Sequence, residues 1–93
     1  MNKPRVLADF HNADAQGRLR LNCIGTVEDL ERQRIALRDG QWLTLYSEEL
    51  AVDGQVQYSA EENLWVAVID WKAITEQKAV GHQPKRATDE DAA

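Results

Sequence analysis

The clearest alternation of apolar and polar positions lies between residues 52 and 59. The apolar or small residues of one parity are Val52, Gly54, Val56 and Tyr58. A period of two is typical of a strand with one buried and one exposed face. A polar break at 60–63 precedes an uninterrupted apolar run at 64–69. The pattern predicts a β-hairpin whose second strand is apolar on both faces and must be covered on both.

Two registers fit this hairpin. If Ser59 pairs with Leu64, large side chains meet small ones across the strands, which favours this register. The pairs are then Tyr58 with Trp65, Val56 with Ala67, Gly54 with Ile69 and Val52 with Trp71. The same register sets Asp53 opposite Asp70. A bulge at Asn63 would instead shift the pairing by one residue.

Weaker patterns predict the other elements. Alternation at Arg5–Phe10 and Arg18–Ile24 predicts two strands that form a first hairpin, with Cys23 on the inward side. Thr26 is a suitable N-cap for a short helix from Val27 to Gln33 or Arg34, with Glu28 and Asp29 in its first turn. After the turn signal Asp39-Gly40, residues 41–47 read as a further strand.

The order is therefore β-β-α-β-β-β. Five strands and one short helix predict a mainly β fold, a small, partly open barrel of the SH3-like type, with the OB-fold as the second choice. We expect one domain over residues 5–75, a frayed N-terminus at 1–4 and a disordered tail at 76–93, where the composition is Gly, Pro, Ala and charged residues.

Two segments carry a family resemblance. Residues 25–49 (GTVEDLERQRIALRDGQWLTLYSEE) and 54–71 (GQVQYSAEENLWVAVIDW) resemble a family of small bacterial proteins with no assigned function. The resemblance covers residues 6–74. It implies a bacterial source and a compact β domain, and it carries over no catalytic residue, cofactor or substrate.

Charge and cysteine content narrow the functional classes. The chain has 16 acidic and 11 basic residues, a net charge of −5, and the charges of residues 77–93 sum to zero. An acidic domain does not attract phosphate backbones at long range, which disfavours nucleic acid as a partner. Cys23 is the only cysteine, so a disulfide framework is excluded. Without an apolar leader or a transmembrane-length run, we expect a cytoplasmic protein with no membrane partner.

Three sets of side chains could carry chemistry. Asp9, His11 and Asp14 offer metal-ligand types, but their spacing matches no known zinc or calcium loop, and a polar turn explains them better. Cys23 lacks a paired base and fits a buried apolar role. Asp53 and Asp70 could share a proton, although an ordinary ion pair would also explain them. We therefore predict no enzyme, no catalytic residue, no cofactor and no metal. A metal-dependent activity near Asp9 and His11 is the least favoured alternative.

Five arginines fall within 21 residues: Arg18, Arg20, Arg32, Arg34 and Arg38. If the strand at 18–24 and the helix meet, these arginines form a basic patch that could bind a phosphate, a nucleic acid or an acidic partner. The simpler interpretation is that they pair with nearby carboxylates on a solvated face. Nucleic-acid binding through this patch is the first alternative function.

The aromatic residues of the strand at 41–47 favour another function. If Leu43 and Leu45 are core, Trp42 and Tyr46 lie on the other face, either exposed or covered by the helix. Exposed Trp and Tyr are typical of binding surfaces. We predict a non-enzymatic module that binds another protein through Trp42, Tyr46 and Glu48, with Tyr46 more exposed than Trp42. The sequence does not determine the oligomeric state.

Overall fold

The structure, a computed structural model, describes residues 3–76. These form six strands, one α-helix and one 3-10 turn. The elements are β1 (Arg5–Leu7), β2 (Leu19–Arg20), α1 (Ile24–Gln33), β3 (Trp42–Tyr46), β4 (Leu50–Ser59), β5 (Leu64–Ile69), the 3-10 turn (Trp71–Ala73) and β6 (Thr75–Glu76).

One curled sheet contains all six strands in the order β1-β3-β4-β5-β2, with β6 paired to the start of β4. The β1–β3 pair is parallel, and the other pairs are antiparallel. The prediction of a mainly β, partly open barrel with one helix is confirmed. The predicted element order also holds, with β6 added as a short closing strand.

The β4–β5 hairpin has the register that large-to-small pairing favoured. Tyr58 pairs with Trp65, and the pairing runs from Ser59↔Leu64 to Gly54↔Ile69. The rings of Tyr58 and Trp65 meet edge to face, with centroids 5.1 Å apart. Asn63 takes a left-handed backbone, as the turn requires, with φ 58°.

The predicted first hairpin between β1 and β2 is wrong. β1 pairs with β3, and β2 pairs with β5. The reason is that the loop before β2 folds back on it: the Arg20 amide donates to Asn12 O and the Asp14 amide donates to Arg18 O. This loop occupies the edge of β2 that β1 would need, and it leaves β2 only two residues long.

The helix begins earlier than predicted. It runs from Ile24 with Cys23 as its N-cap, so Cys23 is a half-buried cap residue and not an inward strand residue. Thr26 is not the cap, because its hydroxyl donates to Leu7 O on β1 at 2.7 Å. Asp29 is buried and accepts a hydrogen bond from the Leu7 amide at 2.8 Å. The helix therefore lies against β1 through polar contacts.

The core lies on the inner face of the curled sheet. Its fully buried centre combines Val6 of β1, Leu19 of β2, and Leu43 and Leu45 of β3. Phe10 and Leu30 belong to the same cluster. These inner positions follow the strand alternation read from the sequence.

Both termini of the described region contact the sheet. Pro4 O accepts a hydrogen bond from the Thr44 amide, and the Lys3 ammonium is 3.0 Å from an Asp53 carboxylate oxygen. The 3-10 turn Trp71–Ala73 follows β5, and β6 then pairs with β4. Of the tail predicted at 76–93, Glu76 is instead the last residue of β6, and residues 77–93 lie outside the described residues.

Candidate functional site

The outer face of the sheet is opposite to the core and carries the alternate side chains of β3. Leu43 and Leu45 are buried, which turns Trp42, Thr44 and Tyr46 outward. Trp42 is 51% exposed, an unusual position for the largest apolar side chain. The outer face is therefore where an apolar contact with another molecule can form.

One row of paired residues crosses this face. Trp42 pairs with Gln55, and Gln55 pairs with Val68. Val68 is 42% exposed. Neighbouring strands lie about 4.8 Å apart, so Trp42 and Val68 are about 10 Å apart across the row. We call Trp42, Gln55 and Val68 the tryptophan patch.

The patch stands on a fixed backbone. The Gln55 side-chain amide donates to Gly40 O at 3.2 Å. The Gly40 amide donates to Val56 O, and the Val56 amide donates to Gln41 O. Gly40 has a φ of 84°, a conformation that glycine accepts without strain. These bonds hold the turn beside Trp42 to β4, so the patch is preorganised for contact.

A polar link separates the patch from Tyr46. Thr44 donates to Asp53 Oδ1 at 2.9 Å, and Lys3 pairs with Asp53 Oδ2 at 3.0 Å. These bonds from Lys3 and Thr44 hold the pKa of Asp53 below its usual value. The ionised link divides the predicted aromatic stripe into two parts.

Tyr46 and Glu48 lie beyond that link. The Arg5 guanidinium stacks over the Tyr46 ring, 4.7 Å from its centroid, and Tyr46 is half-buried. Glu48 is exposed in the turn between β3 and β4. The prediction that Tyr46 is more exposed than Trp42 is wrong, because Arg5 covers its ring. The alternative of a minor core under the helix is also wrong for Trp42, because α1 lies against β1 and Trp42 is exposed.

Sequence reasoning missed Val68. Its signal was present in the two-faced apolar run at 64–69, which left one face to be explained. In the structure Val66 is fully buried on that face, whereas Val68 is not. Only the strand order β3-β4-β5 puts Val68 in the same row as Trp42.

The two arginines of the β2 region are held by carboxylates. Arg18 Nε donates to Asp14 Oδ2 at 2.8 Å. Arg20 makes a bidentate contact with Glu62, with distances of 2.7 and 2.9 Å. Burial alone would raise the pKa of Asp14, but the bonds from Arg18 and Gln16 outweigh it and hold this pKa below its usual value. Hydrogen bonding to Arg20 likewise lowers the pKa of Glu62.

The other three arginines lie elsewhere. Arg32 is in the last turn of α1 and pairs with Asp29 at 2.7 Å. Arg34 is the left-handed C-cap of α1, and Arg38 lies in the exposed segment before β3. α1 lies against β1, which is at the opposite end of the strand order from β2. The five predicted arginines thus lie in three separate regions, namely the β2 region, the C-terminal end of α1 and the segment before β3, and three of them are paired with acids.

The structure also does not bring together the other two sets of candidate residues, which are the predicted metal ligands around His11 and the predicted pair of aspartates. The Asp9 carboxylate accepts from the His11 amide, while Asp14 turns to Arg18. Within residues 3–76, no group of three His, Cys, Asp or Glu side chains is arranged to hold a metal. The predicted pairing of Asp53 with Asp70 is wrong, because the ladder ends at Gly54↔Ile69 and Asp70 caps the 3-10 turn.

The Cys23 sulfur lies 2.9 Å from the Thr26 hydroxyl, and this contact joins the N-cap of α1 to its first turn. The Thr26 hydroxyl is in turn committed to Leu7 O. Cys23 therefore contacts no base in the described part of the chain.

Comparisons with known proteins give no match: no family model, no curated protein and no solved structure is similar to this chain. In the described range 3–76, no helix is long and apolar enough to cross a membrane.

Proposed function

We propose that this protein is a non-enzymatic module of the bacterial cytoplasm that binds another protein through the tryptophan patch. The observation that carries the proposal is the position of Trp42, half exposed in one row with exposed Val68. Exposed aromatic side chains on rigid elements are the usual anchors of protein interfaces.

The outer sides of β1 and β2 are already hydrogen-bonded, which favours a contact through the outer face of the sheet over the addition of a partner strand. The free side of β1 is bonded to side chains of α1, and the free side of β2 is bonded to the loop at 12–14. A partner strand cannot add to an edge that is already bonded. A contact through side chains of the outer face does not depend on a free strand edge.

Charge supports the same conclusion. Lys3–Asp53, Arg18–Asp14 and Arg20–Glu62 are paired around the face. These pairs leave the patch itself uncharged, so its partner should contribute apolar surface and hydrogen bonds to Gln55. We expect affinity that changes little with salt, since no net charge is neutralised at the contact.

The test compares Trp42→Ala with a matched control, Trp71→Ala. Trp71 is 44% exposed, and its indole donates to Gly17 O next to β2, away from β3. Immobilised wild type, Trp42→Ala and Trp71→Ala are each exposed to a bacterial lysate, and captured proteins are quantified by mass spectrometry. We expect a protein that wild type and Trp71→Ala retain and Trp42→Ala loses.

Folding stability must be measured in parallel by urea denaturation. Because about half of Trp42 is exposed, Trp42→Ala should cost about 1.5–2.5 kcal/mol, half of the value for a buried aromatic. A loss above about 3 kcal/mol would mean that Trp42 is structural. Equal capture by Trp42→Ala and wild type would refute the binding site.

A further inference from the structure

The free edge of β1 is hydrogen-bonded to side chains of a helix. Thr44 donates to Pro4 O and Ala8 donates to Tyr46 O, so residues 4, 6 and 8 direct their backbone groups towards β3. Arg5 and Leu7 therefore direct theirs to the opposite side, where α1 lies. An edge of this kind, when open, is a template for pairing with another strand.

Three side chains of α1 bond that edge. The Leu7 amide donates to Asp29 Oδ2 at 2.8 Å. Leu7 O accepts from the Thr26 hydroxyl at 2.7 Å, and Arg5 O accepts from the Gln33 amide at 2.6 Å. The spacing 26, 29 and 33 puts all three on one side of a helix. Asp29 thus supplies one acceptor, and Thr26 and Gln33 supply two donors, in place of the backbone groups of a neighbouring strand.

The rest of the helix adds little apolar contact. Its buried residues are Thr26, Asp29 and Leu30, of which only Leu30 is apolar. Ile24, at 76% exposure, lies in solvent. The cover is thus held largely by polar bonds whose removal leaves most of the inner-face core in place.

We propose that α1 is a cover over a strand-pairing edge, and that the occupant of this edge, once the polar bonds are removed, is β1 of a second copy. Antiparallel pairing centred on Val6 would set Arg5 of each copy opposite Leu7 of the other. Both residues direct N–H and C=O groups outward, so each pair can form two backbone hydrogen bonds. The same edge is self-complementary, as a two-fold dimer requires.

The first test removes all three bonds with Thr26→Val, Asp29→Ala and Gln33→Ala in one variant. Thr26→Val keeps the buried volume and loses only the hydroxyl. We expect the mass by light scattering to rise from monomer towards dimer as concentration increases, with reductant present to prevent Cys23 crosslinking. The matched control is Glu28→Ala with Glu31→Ala, two exposed helix residues that should leave the mass unchanged.

A proline locates the contact. Arg5→Pro removes an edge N–H, which strand pairing needs, whereas Arg5→Ala keeps it. In the Thr26→Val/Asp29→Ala/Gln33→Ala background, Arg5→Pro should abolish the dimer and Arg5→Ala should not. A dimer that survives Arg5→Pro overturns the proposal, and so does a folded variant that stays monomeric at every concentration.

A second measurement does not depend on that variant folding. The Leu7 amide of the wild type should be protected from hydrogen exchange, and Asp29→Asn, which keeps an acceptor oxygen, should retain most of this protection. Gln33→Ala, an exposed change, should quicken Leu7 exchange about tenfold, the effect of losing one hydrogen bond from the cover. Rapid exchange of Leu7 in the wild type would overturn the proposal.

Discussion

Gly54 is the position where added volume should have the clearest effect. It is a buried inner residue of β4, and a Cβ at this position would lie 2.9 Å from Ile69 Cγ2, 2.9 Å from Leu45 Cδ1 and 3.3 Å from Ala67 Cβ. Carbon atoms prefer separations of about 3.5–4.0 Å. The neighbours belong to strands on both sides, so moving one does not relieve the other.

The magnitude follows from two opposing terms. Overpacking of this kind costs about 1–3 kcal/mol. Replacing glycine by alanine returns about 0.4–1 kcal/mol, because the unfolded chain loses freedom. We therefore expect Gly54→Ala to lower the free energy of unfolding by about 1–2 kcal/mol, the difference of these terms.

Urea denaturation of a double-mutant cycle tests the cause. Leu45→Val removes Cδ1, so Gly54→Ala should cost less in the Leu45→Val background than in the wild type, by about 0.5–1 kcal/mol of coupling. Glu49→Ala, at an exposed position just before β4, serves as the reference for a change outside the core. A neutral or stabilising Gly54→Ala, or costs that simply add, would refute the packing argument.

Two further predictions concern charge. The pKa values of Asp14 and Asp29 are lowered in the folded protein. The two carboxylates therefore contribute stability that is fully present above about pH 5. This stability is lost as the pH falls through the unfolded pKa, near 3.9, towards the lower folded pKa. Thermal melts should therefore show a falling Tm below about pH 5 that flattens in Asp14→Asn, and an unchanged pH profile in that variant would contradict it. Because Arg18, Arg20 and Arg32 are paired with acids, we expect no electrophoretic shift of duplex DNA or RNA at about 50 mM salt, and a salt-sensitive shift would restore nucleic-acid binding as the function.

Local pattern was sufficient for the parts of the fold that depend on neighbouring residues. The β4–β5 register followed from large-to-small pairing and a left-handed Asn63, and Leu43 and Leu45 were placed in the core by alternation alone. These features are set by side-chain parity and turn chemistry within about twenty residues, which is why the sequence predicts them.

The candidate site was only partly accessible from the sequence. Alternation placed Trp42 on the outer face, but its exposure depended on where α1 packs. Tyr46 was expected to be the more exposed residue and is covered by Arg5, which is 41 positions away in the chain. Val68 entered the site through strand order. None of these contacts has a local signature in the sequence.

The tertiary structure decided which edges meet and which polar groups bond them. Thr26 and Asp29 had the sequence features of a helix start, yet both bond Leu7 of β1. A hydroxyl or carboxylate can bond its own helix or a distant strand, and the choice depends on which backbone groups would otherwise be buried without partners. That competition between distant segments determined the neighbour of β1, the start of α1 and the exposed patch, while the hydrophobic period by itself determined the β4–β5 hairpin and the inner positions of β3.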